Sequence, residues 1–294
     1  LLAIIKGERN NFSDKVVKFL LTIFEYIYLI IVKIRELFYK IGIFKKNELD
    51  VKIISVGNIT TGGTGKTPVV KKLALELKNK GNKVAILSRG YHSKGSKNQI
   101  ISDGYEILID VEEAGDELYM LASHLSDIPI IKAKDRFEGG KLALENFDLD
   151  ILILDDSFQH WQLERDLDIV VIDALKPFGY GHLLPRGILR EPLSSLKRAD
   201  MVIISRAEQV SDERILEIQT RIRNYNFKVD IFNSKHNPIN LAEIASNSEI
   251  SYDELSDLND KKALALSGIG NPESFVKSLE ELGVNVVVAA NYPD

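Results

Sequence analysis

Residues 51–70 read VKIISVGNITTGGTGKTPVV. The short β-branched run Ile53, Ile54 and Val56 stops at glycine and asparagine, which predicts a buried strand. A glycine-rich turn follows (Gly62, Gly63, Gly65), then Lys66-Thr67-Pro68 and an apolar helical pattern through Leu73, Leu75 and Leu77. Strand, glycine loop and helix in that order make a phosphate-binding loop. Glycines let successive backbone N–H groups converge on phosphate oxygens, and the helix N-terminus adds partial positive charge. On this reading Thr60, Thr61, Gly62, Gly63, Thr64 and Gly65 wrap the phosphates of ATP. Lys66 reaches the β- and γ-phosphates, and the Thr67 hydroxyl sits on Mg2+. The strict pattern wants glycine where this chain has Thr60, so the motif is imperfect although its context fits. The bland alternative is a glycine-rich surface turn.

At 294 residues the chain can bury a sizeable core, as one large domain or two smaller ones. Its 45% hydrophobic and 28% charged residues are those of a folded globular protein. A net charge of −5 gives no support to general nucleic-acid binding. With no cysteine, disulfides, thiolate metal sites and a cysteine nucleophile are excluded. The sequence opens on Leu1 and stops inside an element at Asp294, which reads as a piece of a longer chain.

Residues 13–44 form the second informative stretch. Ser13 reads as an N-cap and no proline occurs before Pro68, so one long helix is predicted. Lys15, Lys18, Thr22, Glu25, Lys33, Glu36 and Lys40 fall in one narrow polar stripe, and most other positions are apolar. The Phe19–Val32 run contains Glu25 and is shorter than the roughly 20 residues a membrane span needs. No cleavage site of a signal peptide follows it. Three readings stay open: a helix lying in a membrane surface, a core helix, or a partner-binding helix. The wide apolar face, Tyr26, Tyr28 and Tyr39, and the flanking Lys45-Lys46 favour the membrane surface. The same face would also suit acyl chains.

Further strands are predicted at 83–88, 128–133, 150–154, 167–172, 201–205, 228–232, 263–267 and 285–289. Helical patterns alternate with them, which predicts an α/β fold on a mostly parallel sheet, P-loop NTPase-like, with flanking helices. Ligands then gather at the carboxyl ends of the strands, where Arg89, Asp155, Asp156, Asp173 and Arg206 stand. The division predicted is a helix over 1–46, a P-loop unit over 47–206 and a smaller α/β unit over 207–294. Gly268-Ile269-Gly270-Asn271-Pro272 repeats the strand–glycine–helix order without a lysine, a weak phosphate signal.

An apolar strand ending in acid is what a P-loop enzyme needs for Mg2+. Asp155 and Asp156 fit, and Gln159 is near enough to join through water, although acid after a strand is also ordinary turn chemistry. Phosphoryl transfer to an alcohol also wants a base and cations. Asp116 can be that base, Arg89 and Arg190 the cations, and Glu191 a further magnesium-shell carboxylate. Each is weak from spacing alone, since acids at helix starts commonly cap. His92, His124, His160, His182 and His236 show no zinc-site spacing.

Taken in order, GNITTGGTGKTP, LSRGY, AGDE, LDDSFQH, DLDIVVIDA, GHLLPRGILREP and SGIGNPESF resemble the tetraacyldisaccharide 4′-kinase (lipid A 4′-kinase) family from about Lys52 onward. The missing first glycine is usual there. The resemblance implies a membrane-associated kinase using ATP and Mg2+. Its acceptor would be the 4′-hydroxyl of a tetraacylated glucosamine disaccharide 1-phosphate, at the cytoplasmic face of the bacterial inner membrane, with no nucleic acid and no obligate protein partner. It also implies that Lys66 and Thr67 hold phosphate and metal, that Asp116 is the catalytic acid of GDE and Arg89 the arginine of SRGY. Asp155, Asp156 and Gln159 match DDGFQH, and Arg190-Glu191 match REP. Ser157 departs from the family's glycine. The family pairs its catalytic aspartate with the histidine of an [FY]-x-D-H segment; here Tyr292-Pro293-Asp294 brings that histidine to the next position. The rival from another class is a membrane-tethered P-loop switch ATPase, indifferent to a lipid acceptor. A nucleotide-binding regulatory module without chemistry is disfavoured by the acids at strand ends.

Overall fold

β1 (Lys52–Gly57) forms where the sequence places it and is buried from Ser55 to Gly57. In the structure, a computed structural model, residues 4–5, 11–90, 98–235, 241–244, 250–253, 255–269 and 272–292 are described. From β1 the chain passes through the glycine loop into α2 (Lys66–Asn79) and then β2 (Val84–Ser88). β3 (Gln99–Ser102), α3 (Val111–Ala114), α4 (Asp116–His124), β4 (Ile130–Lys132), α5 (Arg136–Asn146) and β5 (Ile151–Asp155) follow. Then come β6 (Leu167–Asp173), β7 (Met201–Ser205), α6 (Asp212–Arg223) and β8 (Asp230–Asn233). These eight strands form one sheet in the order β3-β4-β2-β5-β1-β6-β7-β8. Every neighbouring pair is parallel except β3–β4, so the edge strand β3 runs against the rest.

Crossover helices cover both faces, so the central strands are buried on both sides and read as continuous apolar runs. Ile153 packs with Val56, Val70 and Ile86 on one face, while its neighbours Leu152 and Leu154 pack with Leu87 and Ala143 on the other. A third cluster, around Ile172, Ile204 and Ile218, carries the core out to α6. β8 pairs with β7 from Met201↔Asp230 to Ile204↔Asn233. The boundary predicted near Arg206 therefore falls inside the large sheet, which continues to Asn233. Beyond it stand two small sheets. β9 (Leu241–Ile244) pairs antiparallel with β10 (Ile250–Asp253). β11 (Lys262–Ser267) pairs parallel with β12 (Asn285–Asn291), joined by α7 (Pro272–Glu281). Lys277 Nζ donates to the Gln209 carbonyl at 2.6 Å and Gln209 Nε2 to Ser274 Oγ at 3.0 Å, tying α7 to the large unit.

α1 (Phe12–Lys40) is the single long helix predicted, but its cap is Asn11 rather than Ser13. The Asn11 backbone N–H donates to the Asp14 carboxylate at 3.0 Å, half of a reciprocal capping box. The polar stripe meets protein at Thr22 and Glu25 and water at Lys15, Lys33 and Lys40, and Tyr28 and Arg35 beside it also contact protein. Glu25 accepts from the backbone N–H of Leu183 at 2.8 Å, and Tyr28 donates to the Arg190 carbonyl at 2.8 Å. Arg35 donates to the Gln159 carbonyl at 2.9 Å. The apolar residues point the other way, with Phe19 66% exposed, Phe24 56% and Ile31 58%. That disposes of the core-helix alternative. Among the described residues no helix is long and apolar enough to cross a membrane.

Candidate active site

The glycine loop joins β1 to α2 at the carboxyl edge of the sheet. Gly65 stands in the left-handed region (φ 81°) at the N-terminus of α2, a conformation that costs a residue with a Cβ about 1 kcal/mol or more. Inside the loop, Asn58 Nδ2 donates to Thr64 Oγ1 at 3.0 Å. Ser205 Oγ, at the end of β7, donates to the Thr64 carbonyl at 2.8 Å. Arg206 bonds the Gly63 carbonyl at 3.2 Å through each terminal nitrogen and pairs with Asp173 at 2.8 Å. Two strand-end groups without an assigned role thus brace the loop from behind.

Thr60 occupies the place of the missing glycine because the chain there is extended, not turned. It forms an antiparallel bridge with Leu189, Thr61 N–H donates to the Ile188 carbonyl at 2.8 Å, and Arg190 N–H donates to the Ile59 carbonyl at 2.7 Å. Residues 188–190 therefore lie along the loop, and residues 182–187 turn back on them, Leu184 N–H donating to the Leu189 carbonyl and Leu189 N–H to the His182 carbonyl, so that 182–190 form a strap.

Beside β1 stands β5, with Val56 in register with Asp155. The acid turn at its end passes over Gly57, where a Cβ would lie 2.6 Å from the Phe158 nitrogen. Ser157 is buried, accepts from Arg136 Nε at 3.1 Å and donates to the Asp155 carbonyl at 3.0 Å. Its hydroxyl gives the turn an anchor that glycine lacks. Arg136 also donates to the Ala133 carbonyl at 2.6 Å and the Asp155 carbonyl at 3.1 Å. Enclosure lowers this guanidinium to about 10, which leaves it charged at neutral pH.

The two aspartates differ in kind. Asp155 is buried; Ser88 Oγ donates to its Oδ2 at 3.1 Å, and Oδ1 has no protein partner. Burial, with Glu117 nearby, pushes its carboxyl up to about 6. Asp156 adopts φ 49° and faces the cations, 3.4 Å from Lys66 Nζ and 2.9 and 3.0 Å from Arg190 Nη1. Burial works to raise its carboxyl, but Lys66 and Arg190 together hold it below the ordinary range.

The Thr67 hydroxyl donates to Glu117. That contact brings the start of α4, and with it the exposed Asp116, next to the phosphate loop. Glu117 is the group that sequence reading missed, although it stands inside the AGDE motif. Arg89, exposed at the end of β2, is close enough to Arg136 to contribute to lowering its guanidinium. Gln159 Nε2 donates to the Asn58 carbonyl at 2.8 Å. Glu191, expected in the magnesium shell, is 3% exposed and paired with Arg198 at 2.7 Å. Arg198 in turn lies over the rings of Phe158 and Trp161, so this carboxylate is committed to a buried pair behind the acid turn. His160 is held to about 4 by burial and Arg136, while His182 faces Glu25 at 3.2 Å. His92, His236, Gly270, Asn271, Pro293 and Asp294 lie outside the described residues.

A lysine-bearing glycine loop, a strand-end acid pair and a third carboxylate on Thr67 thus stand together, the set of groups that chemistry at a nucleotide's terminal phosphate calls for. The family model described as LpxK, tetraacyldisaccharide-1-P 4'-kinase, matches residues 17–294. The chain belongs to this kinase family. The tetraacyldisaccharide 4'-kinase of Halothermothrix orenii is 44% identical over 302 residues, covering 100% of this chain and 78% of that protein. The kinase of Pelobacter propionicus is 35% identical over 293 residues, covering 99% and 78%. A crystal structure of the "apo" form of LpxK from Aquifex aeolicus in complex with ATP superposes with a TM-score of 0.74 at 34% identity. It covers 95% of this chain and 82% of that one. The kinase reading, the α/β fold and the phosphate loop hold together, and a switch ATPase has no support among these relatives.

Proposed function

We propose that this kinase transfers the γ-phosphate of ATP to the 4′-hydroxyl of tetraacyldisaccharide 1-phosphate in lipid A biosynthesis. The observation that carries it is the meeting of Lys66, Asp155, Asp156 and the Asp116–Glu117 helix start around one glycine loop. The loop amides and Lys66 bind the β- and γ-phosphates. Asp116 takes the proton of the acceptor hydroxyl as its oxygen bonds to the γ-phosphorus and the bond to the β–γ bridging oxygen breaks, releasing ADP. Arg89 and Arg190 spread the charge of the transferred group.

Among the described residues no cluster of three or more carboxylates or histidines could hold a metal alone. Mg2+ bound to nucleotide needs only one or two carboxylates, with phosphate and water completing its shell. The unpartnered Oδ1 of Asp155, whose carboxyl feels the charge of Glu117, fits that demand, with Thr67 on the same Glu117 and Asp156 and Gln159 as further groups that would join the shell through water. When bound there, Mg2+ supplies charge neutralisation on the β- and γ-oxygens. The outward apolar face of α1 supports peripheral seating on the cytoplasmic face of the inner membrane, where acyl chains need not cross water. The test is transfer of labelled γ-phosphate to tetraacyldisaccharide 1-phosphate by the full-length enzyme in detergent. Asp116→Ala is expected to lower kcat at least about 100-fold. ATP hydrolysis indifferent to lipid and to Asp116 would sink the reading.

A further inference from the structure

Arg190 is held at three points. Its guanidinium meets both Asp156 oxygens, its N–H donates to the Ile59 carbonyl at 2.7 Å, and its carbonyl accepts from Tyr28 at 2.8 Å. The third point belongs to α1, 162 residues away in sequence. The same helix face grips the rest of the strap. Glu25 takes the Leu183 N–H at 2.8 Å and faces His182 Nδ1 at 3.2 Å, and Thr22 accepts from Arg186. Thr22, Glu25 and Tyr28 stand at successive spacings of three, on one side of the helix. Tyr28 is half-buried, and enclosure together with Glu191 raises its phenol, which keeps the hydroxyl a donor. A helix needed only for its apolar face has no use for these contacts, because they lie on the opposite side.

We propose that Tyr28 and Glu25 are positioning residues of the transfer reaction. By fixing the strap they set the Arg190 guanidinium against Asp156. The inference rests on the reading that places Arg190 at the transferred phosphate. It makes α1 part of the nucleotide site as well as the lipid-facing surface, and seating of the helix then bears directly on turnover.

The experiment compares Tyr28→Phe, Glu25→Gln, Arg190→Ala and the double variant Tyr28→Phe/Arg190→Ala. Each is full-length enzyme in detergent micelles with saturating ATP and varied lipid. Tyr28→Phe removes one hydroxyl and is expected to lower its unfolding midpoint by no more than about 2–4 °C while kcat falls about three- to tenfold, the range of one lost hydrogen bond. KM for lipid should stay within about twofold, and the double variant should match Arg190→Ala alone, since the tyrosine acts through the arginine. Glu25→Gln keeps an acceptor for Leu183 N–H and should cost less than Tyr28→Phe. A raised KM with unchanged kcat would assign α1 to lipid capture alone and overturn the proposal. So would a loss in the double variant equal to the product of the two single losses. If Arg190→Ala is impaired and Tyr28→Phe is not, only this proposal falls. Unimpaired Arg190→Ala removes Arg190 from the site, and the proposal goes with it.

Discussion

Asp155 and Asp156 are neighbours in sequence with opposite electrostatic fates, because one side chain turns inward under Ser88 and the other outward to Lys66 and Arg190. In an unfolded chain an aspartate ionises near 3.9; buried Asp155 does so at about 6. Between those values the native state holds a proton that the unfolded chain has released, so this group's contribution falls as pH rises across the window. Above about pH 6 the native enzyme carries a buried charge with no protein partner on one oxygen. Metal-free Asp155→Asn is therefore expected to be more stable than the wild type at pH 8, by roughly 1–3 kcal/mol. The gain should shrink to about a few tenths of a kcal/mol near pH 4, where the native carboxyl is protonated and the unfolded one about half so, and transfer activity should be lost. Thermal unfolding in EDTA at the two pH values checks this, and equal midpoints at pH 8 would count against it. The acids were legible because a strand that ends in doubled acid is a local pattern. Arg190 as the partner of Asp156, 34 positions on, was not, since only the strap's path over the loop brings them together. The place of Glu191 was hidden for the same reason: sequence sets it beside Arg190, but successive residues of extended chain point to opposite sides, and Glu191 pairs with Arg198 there.

At the scale of the element, α1 shows what periodicity can and cannot say. Its length and two-faced character follow from residue spacing, but which face meets protein does not. An apolar stripe is ordinarily buried, yet here the polar side chains make the tertiary contacts and Phe19, Phe24 and Ile31 are left outside. Each such side chain contributes about 1.5–3 kcal/mol when taken out of water. The triple variant Phe19→Ser/Phe24→Ser/Ile31→Ser is expected to lose binding to anionic phospholipid vesicles at least about tenfold. Its kcat in detergent should stay near that of the wild type, because no strap contact is touched. Vesicle flotation measures the first and lipid titration the second; undiminished flotation would reject a membrane role for this face. Elsewhere the central strands are readable as unbroken apolar runs. β3 escaped because its four residues begin with glutamine and pair antiparallel at the sheet edge, where no crossover pattern announces them. β8 is legible as a strand, but nothing in residues 228–232 tells which sheet a short strand joins, and it pairs with β7.

At the scale of the whole molecule, the strand order puts β1 in the middle of the sheet, between β5 and β6, with β2 beyond β5. Loop, acid turn and Arg89 thus converge from separate stretches of chain onto one edge, as parallel crossover folds arrange their ligand sites. A nucleotide that bridges those stretches binds only the folded state. Saturation at about 100 times its dissociation constant is expected to add about 2.7 kcal/mol, or about 5 °C in unfolding midpoint. Lys66→Ala should remove most of that shift, and a full shift in the variant would mean that the nucleotide sits elsewhere. The outward apolar face of α1 has one more consequence. On the proposed seating at a membrane surface, catalyst and acceptor would share a film, and encounters would be counted per unit of area rather than per litre. The rate then follows the acceptor's share of the surface, so inert amphiphile thins the reaction out even when the total amount of lipid in the tube is unchanged.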